Sequence, residues 1–406
     1  VSRYFLPCLL ACNLAWAEAP ADATYTVRFA AEFQPQRGIA TASISVDQPA
    51  NLLRVLDLDA PQDRFSHFSG DGTIERQGPR LLWKVPAAGG TLSYEFQVNH
   101  RRGQSLDAKM TDDWAILRLD SLFPGARVTS RAGASSRSAL ALHGPDGWRF
   151  ESRYGTVRGE LAIGADERKF DRPTGWLAAG KLGVRWETIA RRKIAVAGPQ
   201  GQGMRRMDII AFLHWTLPKL VKVFPDFESR LLIVGAREGM WRGGLSGPGS
   251  LYLHSDRPLL SENATSALLH ELVHTATAAA GKTREDWIIE GVAEYYSLEI
   301  LRRSHGISQK RYERALGTLS AWVDRDHGIL TSPSSGANTA RAVLLFDEIQ
   351  RALSQRGAGS LDEIIRKLMA ADEIDGRQLL GLVEQALGAR ADFLRTALNA
   401  DTDKQE

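Results

Sequence analysis

The run His270-Glu271-Leu272-Val273-His274 carries the strongest chemical signal in this chain. On a helix, positions i and i+4 share a face, so both imidazoles aim at one point. Glu271 lies one position round from His270. It is too far round the helix to be a third ligand, yet well placed to take a proton from water at the metal. Sixteen positions after His274, Glu290 stands in Trp287-Ile288-Ile289-Glu290-Gly291-Val292-Ala293-Glu294-Tyr295-Tyr296. A Glu on a second helix completes a His₂Glu set and leaves a fourth position open for water. That is the catalytic arrangement of Zn2+, as opposed to the closed structural one. Two His and a Glu also fit a half-buried surface stripe. However, burying two imidazoles with at least two carboxylates is costly unless a divalent ion compensates.

The elements around these residues follow from the same pattern. Ala267, Leu268, Leu272, Val273 and Ala276 predict a helix over Ala264 to Ala280, capped by Ser261 or Asn263 and ended by Gly281. A second helix runs from about Arg284 past Leu298 and puts Glu290 and Glu294 on one face. Upstream, residues 24 to about 135 read as β. Tyr25-Thr26-Val27-Arg28-Phe29, Ala42 to Val46 and Leu92 to Val98 alternate, and Gly and Pro punctuate the gaps. Short runs at that spacing predict a sandwich that supports the chain and frames a substrate. More strands follow to about 200, then a mostly buried helix Arg206 to Val223 in which His214 reads as a core residue. Arg230 to Val234 and Ser250 to Leu253 read as strands flanking the glycine-rich Gly243-Gly244 turn. After Ile300 the chain reads as helical, with Ser360 and Asp375 as caps. The fold class is α+β. Its parts are a signal peptide (1–17), a β-rich amino-terminal domain (24–200), a catalytic domain (201–300) and a helical carboxy-terminal domain (301–406).

H-E-x-x-H followed by W-x-x-E-G-x-A-E-Y resembles the gluzincin zinc peptidases, and most of all the glycyl aminopeptidase family. The resemblance implies a thermolysin-like catalytic domain with Zn2+ held by His270, His274 and Glu290, and Glu271 as general base. Glu294 matches the acid that orients a zinc-bound His in this clan, and it remains an alternative third ligand. Phe170 to Trp176, Ala179 to Gly183 and Asp113 to Leu117 are similar to that family's amino-terminal region. Two departures stand out. Gly243-Gly244-Leu245-Ser246-Gly247 falls where such peptidases carry a Gly-rich edge strand, but the Glu that grips a free amine in the aminopeptidases is missing. An edge strand still holds an extended peptide through main-chain hydrogen bonds, with Gly243 and Gly244 as contacts. The Tyr that stabilises the oxyanion in the family is also missing from Gly336 to Leu344. Asn338 or Arg341 are candidate replacements. His254, His305, His327, Tyr295 and Tyr296 are weaker ones.

At 406 residues, 43% apolar and 24% charged, the chain is long enough for two or three domains with real cores. A net charge of +3 without a marked Lys/Arg run argues against nucleic acid as a partner. Arg3 ahead of the apolar stretch Tyr4 to Ala15, with Ala15-Trp16-Ala17 as a cleavage site, predicts export to a periplasm or secretion. That stretch is too short to span a bilayer, and no transmembrane helix is expected. Both cysteines, Cys8 and Cys12, lie inside it, so the mature chain has no disulfide or thiol nucleophile. Leu9-Leu10-Ala11-Cys12 also resembles a lipoprotein processing site, which makes Cys12 a lipid anchor in that reading. These observations predict an exported zinc metallopeptidase acting on a peptide or protein. The alternatives are a catalytically weak or inactive peptidase-like scaffold serving as a periplasmic binding protein, and a zinc hydrolase of some other substrate.

Overall fold

The computed structural model describes residues 23–164, 169–279, 282–283, 285–323, 330, 334 and 336–398. The leader, Cys12, Gly281, Arg284 and His327 lie outside these residues. The chain is α+β, as its patterning predicts: β-sheets come first and helices last.

Strand Thr24–Gln34 alternates buried and accessible positions along its whole length. It sits inside a six-stranded sheet between Ser135–His143, which runs parallel to it, and Ile39–Asp47, which runs antiparallel. A second six-stranded sheet places Trp176–Gly180 between Arg149–Ser152 and Trp114–Arg118, and ends in the hairpin Ser105–Met110 and His100–Arg102. Val27, Phe29 and Leu140 from the first sheet share a core with Leu117, Leu177 and Ala179 from the second. This is the expected sandwich, with a four-stranded sheet (Ala126–Ser130, Leu53–Asp59, Arg80–Lys84, Thr73–Gln77) added to it.

Strand Trp176–Gly180 is buried on both faces. Its Trp176 and Ala178, with Trp114 and Ile116, pack on Ala197, Leu232, Val234 and Tyr252 of a five-stranded sheet. In spatial order that sheet is Leu182–Ile189, Arg192–Pro199, Arg230–Val234, Ser250–Leu253 and Gly244–Gly247. Its first two strands lie before position 200, so the sheet spans the boundary drawn there from sequence. Its last strand is an antiparallel edge.

Helix Arg206–Val223 covers this sheet with Ile210, Leu213, Leu217 and Leu220. His214 is exposed on it, contrary to the core reading, and Met207 and Trp215 are exposed too. The helix is amphipathic, and these three positions fall off its buried stripe. The remaining helices are Ala267–Thr277, Asp286–Arg303, Gln309–Val323, Ala337–Arg356, Leu361–Ala370, Gly376–Leu387 and Asp392–Ala397. One apolar core runs through them from Ile189 to Leu394, without a break near position 300.

Candidate active site

Ala267–Thr277 is the first site helix. Ser266 caps it, its side chain accepting from Leu269 N at 3.3 Å, in place of the expected Ser261 or Asn263. Ala278 closes it in the left-handed region at φ 47°, donating its N–H to the His274 carbonyl. The helix is shorter than expected at both ends. Leu268, Leu269, Leu272 and Val273 are fully buried. At roughly 1.5–3 kcal/mol each, they anchor the helix in the core.

Asp286–Arg303 is the second site helix. Ser297 Oγ ties it to the first by donating to the Ser266 carbonyl at 3.2 Å. Gly291 explains why the glutamate is followed by glycine. A Cβ there would lie 2.4 Å from Ala342 Cβ, so only glycine lets Ala337–Arg356 pack this closely. At the far end, Tyr296 and Arg303 both bond Asp362, and Arg302 and Arg303 both bond the buried Glu299. The helix carrying Glu290 is therefore fixed from its middle and its end.

Between the two helices, His270 Nε2 and His274 Nε2 lie 3.0 Å apart. Glu290 Oε2 is 3.3 Å from His270 Nε2, and Glu290 Oε1 is 3.5 Å from His274 Nε2. Ligands of a tetrahedral zinc at about 2.1 Å stand about 3.4 Å from one another, so the two Nε2 atoms and the Glu290 carboxylate lie near the spacing such an ion requires. His270 Nδ1 faces Glu294 Oε2 at 3.0 Å. Nδ1–H is donated to Glu294, and a bound metal would take the Nε2 position that otherwise carries a proton toward Glu290. Of the two glutamates left open by the sequence, Glu290 lies beside both Nε2 atoms and Glu294 faces His270 Nδ1.

Burial disfavours an imidazolium at His270, but Glu290 and Glu294 outweigh it and push its pKa up to about 10. Burial works against ionisation of Glu290 as well, yet its bonds to His270 and His274 hold it well below the usual carboxylate range. Glu271 is shifted the other way. Its burial raises its pKa against the pull of His270, His274 and a hydrogen bond from the Ser246 backbone amide. A raised pKa makes a carboxylate a stronger proton acceptor.

His270, Glu271, His274 and Glu290 line a cavity of about 520 Å³. Gly244 forms part of its wall, and the Glu271 side chain lies directly against that residue. Gly243 does not line the cavity. It is buried beside Trp241, and its carbonyl accepts from His254 N at 3.0 Å. The edge strand is held from outside its sheet as well: Trp176 Nε1 donates to the Leu245 carbonyl and Arg118 Nη1 to the Ser246 carbonyl. Alternate strand residues turn their backbone groups to the same side, so Gly244 shares the free edge on which Ser246 is engaged.

Neither Asn338 nor Arg341 is among the lining residues. Both sit on Ala337–Arg356, which packs behind the second site helix. Tyr295 and Tyr296 are buried, the latter bonded to Asp362, and His254 is bonded to the Arg237 carbonyl. No tyrosine lines the cavity among the described residues. The opposite wall comes from the β-rich half: Arg64, His100, Arg102, Asp107, Arg118 and Trp176. Sequence reading missed the charged members of this wall. They lie on separate strands and loops, and no spacing rule connects them. Trp176 and the strand ending at Arg118 did fall in stretches marked by the family likeness.

No protein-family model and no curated protein matches the chain. Solved structures do. An aminopeptidase N family protein from Idiomarina loihiensis aligns at a TM-score of 0.64 with 13% identity, over 92% of this chain and 73% of that one. Leukotriene A4 hydrolase from Saccharomyces cerevisiae aligns at 0.54 with 16% identity, over 89% of this chain and 65% of that one. A zinc metallopeptidase of the M1 family from Deinococcus radiodurans aligns at 0.57 with 14% identity, over 92% of both chains. The fold is thus similar to that of M1-type zinc metallopeptidases, at low identity.

Proposed function

We propose that this chain is a zinc-dependent metallopeptidase. The observation that carries the reading is the convergence of His270 Nε2, His274 Nε2 and Glu290 at ligand spacing, with Glu271 beside them in a cavity walled by a strand edge. His270, His274 and Glu290 would hold Zn2+, which supplies a Lewis acid for a peptide carbonyl and for the attacking water. Glu294 fixes the His270 tautomer. Glu271 takes a proton from the water and delivers it to the leaving amine. Gly244 offers its backbone N–H and C=O to an extended substrate, as an edge strand does. The likeness of the motif to glycyl aminopeptidases belongs to this reading, as does export to a periplasm or secretion. The absent amine-gripping Glu favours cleavage within a peptide over removal of its first residue. The second reading, a binding scaffold, is favoured by the departure of Gly336 to Leu344 from the family's tyrosine-bearing stretch; among the described residues no tyrosine lines the cavity.

The test is zinc content and peptide cleavage measured side by side. Glu271→Gln should keep zinc and lose hydrolysis, whereas His270→Ala should lose both. Cleavage retained by pure Glu271→Gln would sink the mechanism. Full zinc without cleavage of any peptide in a broad library would favour the scaffold.

A further inference from the structure

The cavity has two walls of different charge. Glu271, Asp286 and Glu290 line one wall beside the histidines, and arginines from the β-rich half line the other. Three of the ionised or polar groups on that second wall are already matched. His100 Nδ1 is 2.5 Å from Asp107, and Arg118 is 2.6 Å from Asp120. Arg64 and Arg102 are not matched in this way. Arg64 stacks 4.5 Å over the Phe96 ring and donates to the carbonyls of Gln97 and Val98. Arg102 lies 5.2 Å over the Trp241 ring. Among the described residues neither guanidinium forms an ion pair. Burial lowers the pKa of Arg64, and Asp107 and Asp63 only partly offset it.

Arg64 is half-buried and Arg102 exposed, and each is aimed by the ring it stacks on, with no carboxylate partner among the described residues. The planar guanidinium fork suits a carboxylate bound through two parallel hydrogen bonds. The hairpin carrying Arg102 is docked rigidly: Leu106 N donates to the Gly239 carbonyl and Trp241 N to the Leu106 carbonyl, at 3.0 and 2.8 Å. We propose that Arg64 and Arg102 form a carboxylate subsite facing the metal-ligand residues, so that the preferred substrate is an anionic peptide. This rests on the peptide-directed reading above. The carboxylate is either an acidic side chain or the free carboxy terminus of a short peptide.

The test measures binding apart from hydrolysis, by calorimetry on the full-length zinc-loaded Glu271→Gln protein. One peptide set is acetylated and amidated pentaalanine carrying Glu or Gln at each position in turn. The other is neutral pentaalanine with a free or an amidated carboxy terminus. A charged hydrogen-bonded contact predicts about 10- to 100-fold tighter binding of the acid over its amide. A preference in the first set identifies a side chain, and one in the second the terminus. In an added Arg64→Gln/Arg102→Gln background the preference should fall to within about twofold. Arg102 is exposed, so Arg102→Gln alone guards against misfolding and should cut the preference at least threefold. Equal affinity for acid and amide overturns the subsite, and so does a preference that survives both substitutions. A preference for acids in a wild-type protein that cleaves nothing retains the subsite and rejects the peptidase.

Discussion

Replacing Gly244 by alanine tests how tightly the edge strand positions the base. An added Cβ would stand 2.4 Å from Glu271 Cγ, 2.8 Å from Oε1 and 2.9 Å from Cδ. Carbon atoms rest at about 3.5 Å or more, so something must move by about 1 Å. The strand is the stiffer partner. It pairs with Ser250–Leu253 and is tied by Trp176 and Arg118. The Glu271 side chain therefore moves, and it does so away from the Ser246 amide. A displacement of about 1 Å at a reacting group costs about 100-fold in rate, or about 2.7 kcal/mol. The assay is kcat on a cleaved peptide, with zinc content determined on the same preparation. Gly247→Ala is the control, because its Cβ comes no nearer than 3.4 Å to Trp176 Cδ1. A Gly244→Ala protein with full zinc and a kcat within about threefold of wild type would refute the reasoning.

Glu294→Gln weakens the orientation of His270 and should lower zinc affinity about 10- to 100-fold, measured by competition with a chelator of known affinity. Gly291→Ala forces a methyl group to within 2.4 Å of Ala342 and 3.0 Å of Phe346. It should destabilise the protein by about 1–3 kcal/mol in denaturant titrations. Glu151 is buried, and burial raises its pKa despite the Thr156 hydroxyl it accepts from. Because the folded state binds this proton more tightly than the unfolded one, Glu151 costs stability at neutral pH. That cost fades as pH falls through the raised folded value toward the unfolded one. Glu151→Gln should then raise the melting temperature by about 2–4 °C at pH 7 and by nothing at acid pH, read by thermal scans across pH. An equal gain at both pH values would count against the burial argument.

The metal-ligand set was legible because it is local. His270 and His274 follow from helical spacing, and Glu290 from a motif one helix away. The strands were legible from period-2 alternation, as at Tyr25 to Phe29, and the long helices from their apolar stripes. Helix ends were not, because Ser266 competes with nearby Ser261 and Asn263 as a cap and only tertiary contact with Ser297 favours it. Asn338 and Arg341 are not among the residues lining the cavity, since position along a helix does not say which side of its neighbour it packs on. The arginines of the far wall are set by how one β-unit docks on another, and a single sequence holds no local record of docking. The stretches Asp113 to Leu117 and Phe170 to Trp176, far apart in sequence, belong to or lead into adjacent antiparallel strands, with Ala115 opposite Ala179 and Arg118 opposite Trp176.

The lone bridge between Leu106 and Met240 joins the outer hairpin of the sandwich to the segment that leads into the edge strand. The hairpin carries His100 and Arg102, and the edge strand carries Gly244. The two cavity walls thus meet where Leu106 of the hairpin and Leu245 of the edge strand pack against one shared apolar cluster. Changes in the hairpin can retune what the cleft accepts while the ligand geometry stays intact. The bridge is backed by the apolar cluster of Trp114, Ile116, Trp176, Met240 and Tyr252, so the spacing between the two cavity walls is set by packing as well as by this short contact.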